Sequence, residues 1–298
     1  MALTLPEAAH RAGIVGGGSG AAVAPKLLVR ADLVIANAAE CVPLAASDLA
    51  VLEAHPGSVL RAFHEVLAAL DAKAGVLAIS ERALGARDSV LRELKKFSGI
   101  SIVPVRDFYP AGDAHVLTGE VLGHAAPRTD PHAVSVLNVR TLNDLAAAKT
   151  GAPVTHRDVT VTGAVANPGV FRLPLGASVR SAIVAAGDAT DATWVALAGN
   201  PMTAIPVTAE HALAKSDSLV VVLPATHPLV KSRAIDEATR RARTFAGCDG
   251  CGACADLCPR TAGDASLRPD LVVRALLHGK AGRSEWLDAA RACSGCGV

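Results

Sequence analysis

This sequence contains few aromatic side chains and no large excess of positive or negative charge. Phe, Trp and Tyr make up 3% of the 298 residues, so an apolar core must be built from aliphatic side chains, which favours regular α/β layers. The 29 Lys and Arg residues nearly balance the 28 Asp and Glu residues, which gives a net charge of +1. Because no large field of one sign exists, the composition argues against nucleic acid as a partner.

The sequence also lacks long hydrophobic runs and the cysteine distribution typical of disulfide-bonded proteins. No apolar stretch approaches the roughly 20 residues that cross a bilayer, and the N-terminus has no basic segment followed by an apolar one. All cysteines except Cys41 follow residue 247, which favours metal binding in a reducing compartment. We therefore expect a cytoplasmic protein without a transmembrane segment, with peripheral membrane association left open.

A C-x2-C-x2-C-x3-C-P pattern begins at residue 248 and has the spacing of bacterial 4Fe-4S sites. Zinc is the alternative metal, but zinc ribbons usually separate their cysteine pairs by roughly 15–20 residues. The pattern predicts electron transfer and a 4Fe-4S cluster with the ligands Cys248, Cys251, Cys254 and Cys258.

A second, shorter motif supplies the further candidate ligands Cys293 and Cys296. Two full clusters need more thiolates than this region offers. We therefore predict one stable cluster, or two if the sequence is a fragment.

The first half of the sequence alternates apolar runs with helical patterns, in the order 33–36, 58–71, 76–79, 82–97 and 100–105. This alternation predicts a Rossmann-like parallel sheet, whose ligands bind at the carboxyl ends of the strands. Residues 37–41 and 109–115 follow two of these strands and are candidate binding loops. A solvated loop is the alternative for Asp113 and His115, and Cys41 alone is most often a small buried hydrophobe.

A glycine-rich loop at residues 13–21 precedes these strands and matches G-x-G-x-x-G/A. Its backbone N–H groups could bind phosphate, although the residues before it, 6–12, have a helical pattern where the Rossmann fingerprint needs a strand. A flexible turn is the alternative.

Around residue 151 the pattern changes to shorter strands, predicted at 158–165, 169–175, 194–197 and 219–223, with a helix at 178–186. A helix predicted at 232–245 presents several arginines, which either lie on a solvated face or counter the charge of the cluster. The predicted domains are residues 1–150, 151–226 and 227–298.

Together these motifs resemble one family of flavin and iron–sulfur proteins. It comprises the cobalamin reductase of microcompartments, the C subunit of the Rnf complex and, more distantly, the NADH-binding subunit of respiratory complex I. The resemblance is carried by the glycine loop with Lys26, by residues 37–44, 109–117 and 138–142, by residues 159–171, and by the cysteines. The last motif is most similar to the cobalamin reductase version.

The resemblance implies an α/β flavin and NADH domain, an SLBB domain of β-grasp fold and a small helical ferredoxin-like domain. It also implies that NADH reduces FMN, which passes electrons singly to the cluster and on to a corrinoid or another acceptor. The implied FMN site contains Gly16, Gly18, Gly20, Lys26, Asn37, Glu40 and Asn138. The redox partner would be a corrinoid-dependent enzyme system or electron-transport subunits, and the location the cytoplasm or the interior of a bacterial microcompartment.

Departures from the family pattern lie in the flavin site. The glycine loop is one residue shorter and lacks a Phe-Pro step, and Val42 and Arg140 replace acidic residues. These changes support an alternative function, a flavin-free iron–sulfur relay or docking protein with a degenerate nucleotide site.

Overall fold

The computed structural model describes residues 3–123, 134–263, 267–278 and 284–296. In these ranges the chain forms two sheets, followed by a series of short helices. Both cores are mainly aliphatic, as the low aromatic content predicts, and Phe63 is among their largest fully buried side chains. Among the described helices, none combines the length and apolar character that crossing a bilayer requires.

The first sheet consists of four parallel strands in the order β3-β2-β1-β4. They are β1 (Leu33–Ala38), β2 (Ala74–Ser80), β3 (Ile100–Val105) and β4 (Val134–Asn138). β1 and β2 are largely buried on both faces, which explains their unbroken apolar runs. The strand order changes direction between β1 and β4, so their carboxyl ends flank the crevice where sheets of this kind bind ligands. The predicted Rossmann-like sheet is confirmed.

Helices pack on both faces of this sheet. They are α1 (Leu5–Arg11), α2 (Ser47–Ala54), α3 (Pro56–Ala69), α4 (Leu84–Leu94), α5 (Ala114–Leu122) and α6 (Val139–Lys149). Phe63 of α3 and Leu142 of α6 belong to the core on one face, whereas Leu117 of α5 belongs to the core on the other. The sequence patterns indicate α1, α3 and α4 but neither β4 nor the other three helices.

The second sheet is mixed, with the strand order β6-β5-β9-β7-β8. Its strands are β5 (His156–Gly163), β6 (Gly169–Pro174), β7 (Trp194–Ala198), β8 (Pro206–Val207) and β9 (Leu219–Pro224), and α7 (Val179–Ala185) packs on one face. β5 runs parallel to β9, and the other neighbouring pairs are antiparallel. This arrangement agrees with the predicted β-grasp domain.

Short helices follow the second sheet. They are α8 (Pro228–Arg233), α9 (Glu237–Gly247), α10 (Ala253–Asp256), α11 (Pro259–Gly263), α12 (Pro269–His278) and α13 (Ser284–Ala289). The prediction of one helix over 232–245 is wrong, because the Asp236 side chain accepts the backbone N–H of Thr239 (2.9 Å) and starts a new helix there. The predicted domain boundaries near residues 150 and 226 fall between α6 and β5 and between β9 and α8, and they stay a prediction.

Candidate functional site

The loops after β1 and β3 meet at the carboxyl edge of the parallel sheet. Asn37, near the end of β1, donates a hydrogen bond from its side-chain nitrogen to the carbonyl oxygen of Gly112 (2.8 Å). A Cβ atom on Gly112 would lie 3.1 Å from the Cys41 sulfur, so the two loops are in close contact. Cys41 is half-buried in this contact, and burial raises the pKa of its thiol.

A buried polar network continues from this contact to the end of β4. The Glu40 carboxylate accepts backbone N–H groups of Asp48 (2.9 Å) and Leu49 (2.7 Å) at the start of α2. Asp48 in turn pairs with the Arg140 guanidinium and accepts a hydrogen bond from the Asn138 side chain. Burial, and then the Asp48 charge, raise the pKa of Glu40 to about 7. A carboxyl group at this edge can therefore exchange a proton near neutral pH.

The glycine loop lies against the same network. It closes on itself through hydrogen bonds from the Gly16 nitrogen to the Ala21 oxygen (2.8 Å) and from the Gly20 nitrogen to the Gly16 oxygen (3.0 Å). A Cβ atom on Gly17 would lie 3.0 Å from the Asn138 side-chain oxygen, and Arg140 donates to the Gly17 carbonyl oxygen (3.3 Å). Contact at Gly17 thus places the loop beside the carboxyl end of β4.

Backbone donors in this loop fit a phosphate group. The N–H groups of Gly17, Gly18 and Ser19 have no protein acceptor among the described residues, and the space beside Gly18 is open to at least 4 Å. Adjacent free N–H groups of this kind bind anions in phosphate-binding loops. The residues therefore fit the phosphate of FMN, with the loop backbone as the binding element.

The side chains that the resemblance implies for the FMN site do not all lie near the glycine loop. Asn37, Glu40 and Asn138 lie at the carboxyl edge, but each already makes hydrogen bonds that hold the loops or the start of a helix. Lys26 lies exposed on a 3-10 helix (Ala24–Leu28), with no described contact from its ammonium group to the loop. Lys215, before β9, instead donates to the carbonyl oxygen of Gly13 (2.6 Å). No sequence signal marks Lys215, because about 200 residues separate it from the loop.

The first cysteine motif runs from the end of α9 through a turn and the short helix α10 to the start of α11. Gly250 and Gly252 have φ angles of 78° and 81°, which glycine adopts without strain, and the Asp249 carboxylate accepts the backbone N–H of Cys251 (3.0 Å). Cys248 and Cys251 are exposed, whereas Cys258 is buried.

Burial raises the pKa of the Cys254 thiol, with further contributions from Asp270 and from the neighbouring Cys251 and Cys248 thiols. Within the described residues no three metal-ligating side chains already converge on one point. All the cysteines are free thiols, and this donor set fits an iron–sulfur cluster.

Both cysteine motifs are docked onto the carboxyl edge of the parallel sheet. Arg260, two residues after Cys258, donates a hydrogen bond to the Asp113 carboxylate (2.6 Å), which also caps α5. Tyr109, the single tyrosine in the sequence, donates to the carbonyl oxygen of Ser294 (2.7 Å), between the two cysteines of the second motif.

The Tyr109 hydroxyl also accepts a hydrogen bond (2.7 Å) from Asn200, which lies in the loop between β7 and β8. Burial raises the pKa of Tyr109, and the nearby thiols of Cys41 and Cys296 raise it further. Tyr109 lies in a loop that the sequence marks as a candidate binding loop, but no pattern predicts this docking contact.

Comparison with known proteins identifies three domain types along the chain. The Nuo51 FMN-binding domain matches residues 9–147, the SLBB domain residues 159–206 and the 4Fe-4S dicluster domain residues 247–298. These matches confirm the predicted cofactor classes, FMN and a 4Fe-4S cluster.

Two curated proteins and one solved structure extend the match beyond single domains. The cobalamin reductase PduS of Salmonella typhimurium is 34% identical over 307 residues, covering 100% of this chain and 68% of that protein. The C subunit of the ion-translocating oxidoreductase complex of Erwinia tasmaniensis is 29% identical, over 84% of this chain and 31% of that protein. An NAD+-reducing NiFe hydrogenase in the H2-reduced state shares the fold, with a TM-score of 0.67 at 20% identity over 98% of this chain and 58% of that chain. The chain belongs to the cobalamin reductase family of flavin and iron–sulfur electron-transfer oxidoreductases.

Proposed function

We propose that this protein oxidises NADH and passes electrons, by way of FMN and a 4Fe-4S cluster, to a corrinoid or another acceptor. One observation carries the proposal: the glycine loop and both cysteine motifs contact the same carboxyl edge of the parallel sheet. The contacts are those of Gly17 with Arg140, of Arg260 with Asp113 and of Ser294 with Tyr109. FMN, when bound, supplies a group that accepts two electrons and releases them one at a time.

The residues of this chain have separate parts in that function. The backbone N–H groups at 17–19 would bind the phosphate, and Glu40 would hold or release a proton beside the nucleotide site. The thiolates of Cys248, Cys251, Cys254 and Cys258 would bind iron, while Tyr109 and Asp113 hold the cysteine segments against the sheet.

The names of the relatives suggest the acceptor. A corrinoid-dependent system, inside a bacterial microcompartment, is the acceptor we favour because the cobalamin reductase shares the higher identity and coverage. Membrane electron-transport subunits are the second choice.

A flavin-free electron relay is the second candidate function. It is favoured by the exposed position of Lys26 and by the hydrogen bonds that already engage Asn37 and Asn138. The two candidates differ in whether the purified protein carries flavin.

A substitution at Gly18 tests the placement of the flavin. Because the space beside Gly18 is open, Gly18→Val should fold and retain iron but lose flavin. Gly247→Val is the matched control, since Gly247 also lies beside open space but outside the loop, and it should retain flavin. Flavin binding by Gly18→Val at the wild-type level would refute the placement. Iron without extractable flavin in the wild-type protein would favour the relay.

A further inference from the structure

The glycine loop begins directly at the C-terminal end of α1, where a Schellman motif ends the helix. The Gly13 N–H group donates to the carbonyl oxygen of His10 (3.0 Å), and the φ angle of Gly13 is 61°. The Ile14 N–H group donates to the carbonyl oxygen of Ala9 (3.0 Å). Among the described residues, no backbone N–H group binds the carbonyl oxygens of Ala12 and Gly13. The direction in which the loop leaves the helix therefore depends on what binds these two oxygens.

Both oxygens are bound by a lysine that lies about 200 residues away in the sequence. The Lys215 ammonium group donates to the carbonyl oxygen of Gly13 (2.6 Å) and, at longer range, to that of Ala12 (3.4 Å). A cation is favourable here, because the helix dipole places negative charge at the C-terminal end of α1. A Cβ atom on Gly13 would lie 2.6 Å from the ammonium nitrogen, so glycine leaves room for that contact. Lys215 thus fixes the start of the glycine loop.

Lys215 belongs to a turn at residues 214–217, before β9, which we name the support turn. The Asp217 carboxylate accepts the backbone N–H of Ala214 (2.8 Å), and the Asp217 N–H donates to the Ala214 carbonyl oxygen (3.1 Å). Arg157 of β5 donates to the Lys215 carbonyl oxygen (2.7 Å) and also pairs with a carboxylate of α6. The support turn is therefore shaped by its own hydrogen bonds and anchored through β5 to the helix layer of the first sheet.

The support turn also contacts the far end of the glycine loop. A Cβ atom on Gly20 would lie 3.7 Å from the Ser216 Cβ atom, which is an ordinary van der Waals distance. The residues that flank the loop pair as a short hairpin, in which the Val23 nitrogen donates to the Ile14 oxygen (3.0 Å). The free N–H groups at 17–19 lie in sequence between the two residues that the support turn contacts. Both ends of the candidate phosphate site are thus held by one turn.

We propose that the support turn positions the glycine loop for FMN, and that Lys215 is a positioning residue acting through its bonds to Ala12 and Gly13. The inference rests on the proposed function, because it takes the N–H groups at 17–19 as the phosphate site. Adjacent N–H groups bind an anion best when their arrangement is fixed before binding, since no ordering cost then remains. Coupling of this kind is reciprocal, so bound FMN should in turn strengthen the contact of Lys215 with the loop.

The test compares FMN with riboflavin, which has the same ring system but no phosphate. Flavin is removed from the purified protein with its cluster retained, and each flavin is titrated back anaerobically while flavin fluorescence is recorded. The variant Lys215→Met removes the donor and keeps most of the side-chain length, whereas Lys215→Arg keeps a cationic donor. Lys149→Met is the matched control, because Lys149 also donates to a backbone carbonyl oxygen, that of Leu3 (3.3 Å), outside the loop.

We expect Lys215→Met to bind FMN about tenfold more weakly than wild type, as fits the loss of a charge-assisted hydrogen bond that orders the site. Its riboflavin affinity should change by no more than about twofold, as should the affinity of the control for both flavins. Lys215→Arg should recover most of the FMN affinity. The difference should persist at high salt, because salt screens a long-range attraction between a lysine and the phosphate but not a short hydrogen bond.

Equal losses of FMN and riboflavin affinity in Lys215→Met, wild-type FMN affinity, or a difference that high salt removes would each overturn this inference alone. If the variant fails to fold, labelling of the wild-type protein with acetic anhydride decides the matter. Acetylation of Lys215 should be slower with FMN than without it, while that of Lys149 should not change, and equal labelling of Lys215 in both states would overturn the inference. Wild-type protein that binds neither flavin would overturn the placement of FMN together with the inference.

Discussion

A buried ion pair joins the second sheet to helix α6, which packs on the first sheet, and its removal gives a measurable test of the fold. Arg157 of β5 pairs with Asp144 of α6, and their side chains are only 6% and 16% exposed. Arg157 also donates from Nε to the carbonyl oxygen of Lys215 (2.7 Å), the residue that bonds the base of the glycine loop. Substitution of Arg157 by Met would keep most of the side-chain volume and remove the charge.

The expected cost follows from the carboxylate left behind. Removing one partner of a buried pair typically destabilises a protein by about 3–5 kcal/mol, because the other charge stays buried without compensation. At about 2–4 °C per kcal/mol this lowers the melting temperature by roughly 10 °C.

The pH dependence has a defined sign. Burial already raises the pKa of Asp144 and Arg157 opposes that rise, so the pKa should rise further in Arg157→Met. The variant should therefore recover stability as the pH falls and lose it as the pH rises through that pKa.

Thermal unfolding followed by circular dichroism, at pH 5.5 and pH 8, measures both effects. Arg172→Met is the matched control, because Arg172 pairs with Asp158 on the same sheet at 3.5 Å but is 62% exposed, so its loss should cost at most about 1 kcal/mol. Asp144→Leu in the Arg157→Met background should restore most of the stability. If Arg157→Met melts at the same temperature as Arg172→Met, the buried pair does not stabilise the junction as argued.

Three further predictions concern other parts of the molecule. Because the pKa of Glu40 is raised to about 7, wild type should lose up to about 3 kcal/mol of unfolding free energy between pH 5 and 8.5, whereas Glu40→Gln should not. Urea unfolding that changes with pH by the same amount in both proteins would contradict this. Cys251→Ala should lose most iron and acid-labile sulfide, and unchanged iron or bound zinc would exclude the cluster assignment. Gly163→Ala should destabilise by about 3 kcal/mol or more, since φ is 94° and the new Cβ would overlap the Val222 carbonyl oxygen; near-wild-type urea denaturation would refute it.

The sequence predicts the parallel sheet well because β1 and β2 are buried on both faces and show it as unbroken apolar runs. It does not predict α6, whose start depends on the Asn138 side chain accepting the backbone N–H of Arg140 (2.8 Å) directly after a strand. The break between α8 and α9 escapes prediction for a similar reason, since the cap at Asp236 competes with a continuous helical pattern. Side-chain caps thus set these helix boundaries, which the periodicity of apolar residues does not reveal.

The sequence predicts which segments form the candidate site better than it predicts the contacts between those segments. Residues 37–41 and 109–115 meet at one edge, because parallel strands bring their carboxyl ends together. The glycine loop precedes the first strand and reaches the same edge through the contacts of Gly17 with Asn138 and Arg140. The contacts of Lys215 with Gly13 and of Tyr109 with Ser294 join residues about 200 positions apart, and no short-range pattern marks them. Those contacts depend on how the two sheets and the cysteine segments pack.

Cofactor analysis of anaerobically purified protein tests the central claim most directly. Flavin released on denaturation would be measured by fluorescence, iron and acid-labile sulfide by colorimetry, and the reduced cluster by low-temperature electron paramagnetic resonance. The account predicts about one FMN and about four iron atoms per chain, with the flavin absorbance bleached by NADH. Protein that contains zinc in place of iron, or that holds iron but neither flavin nor any response to NADH, would contradict it.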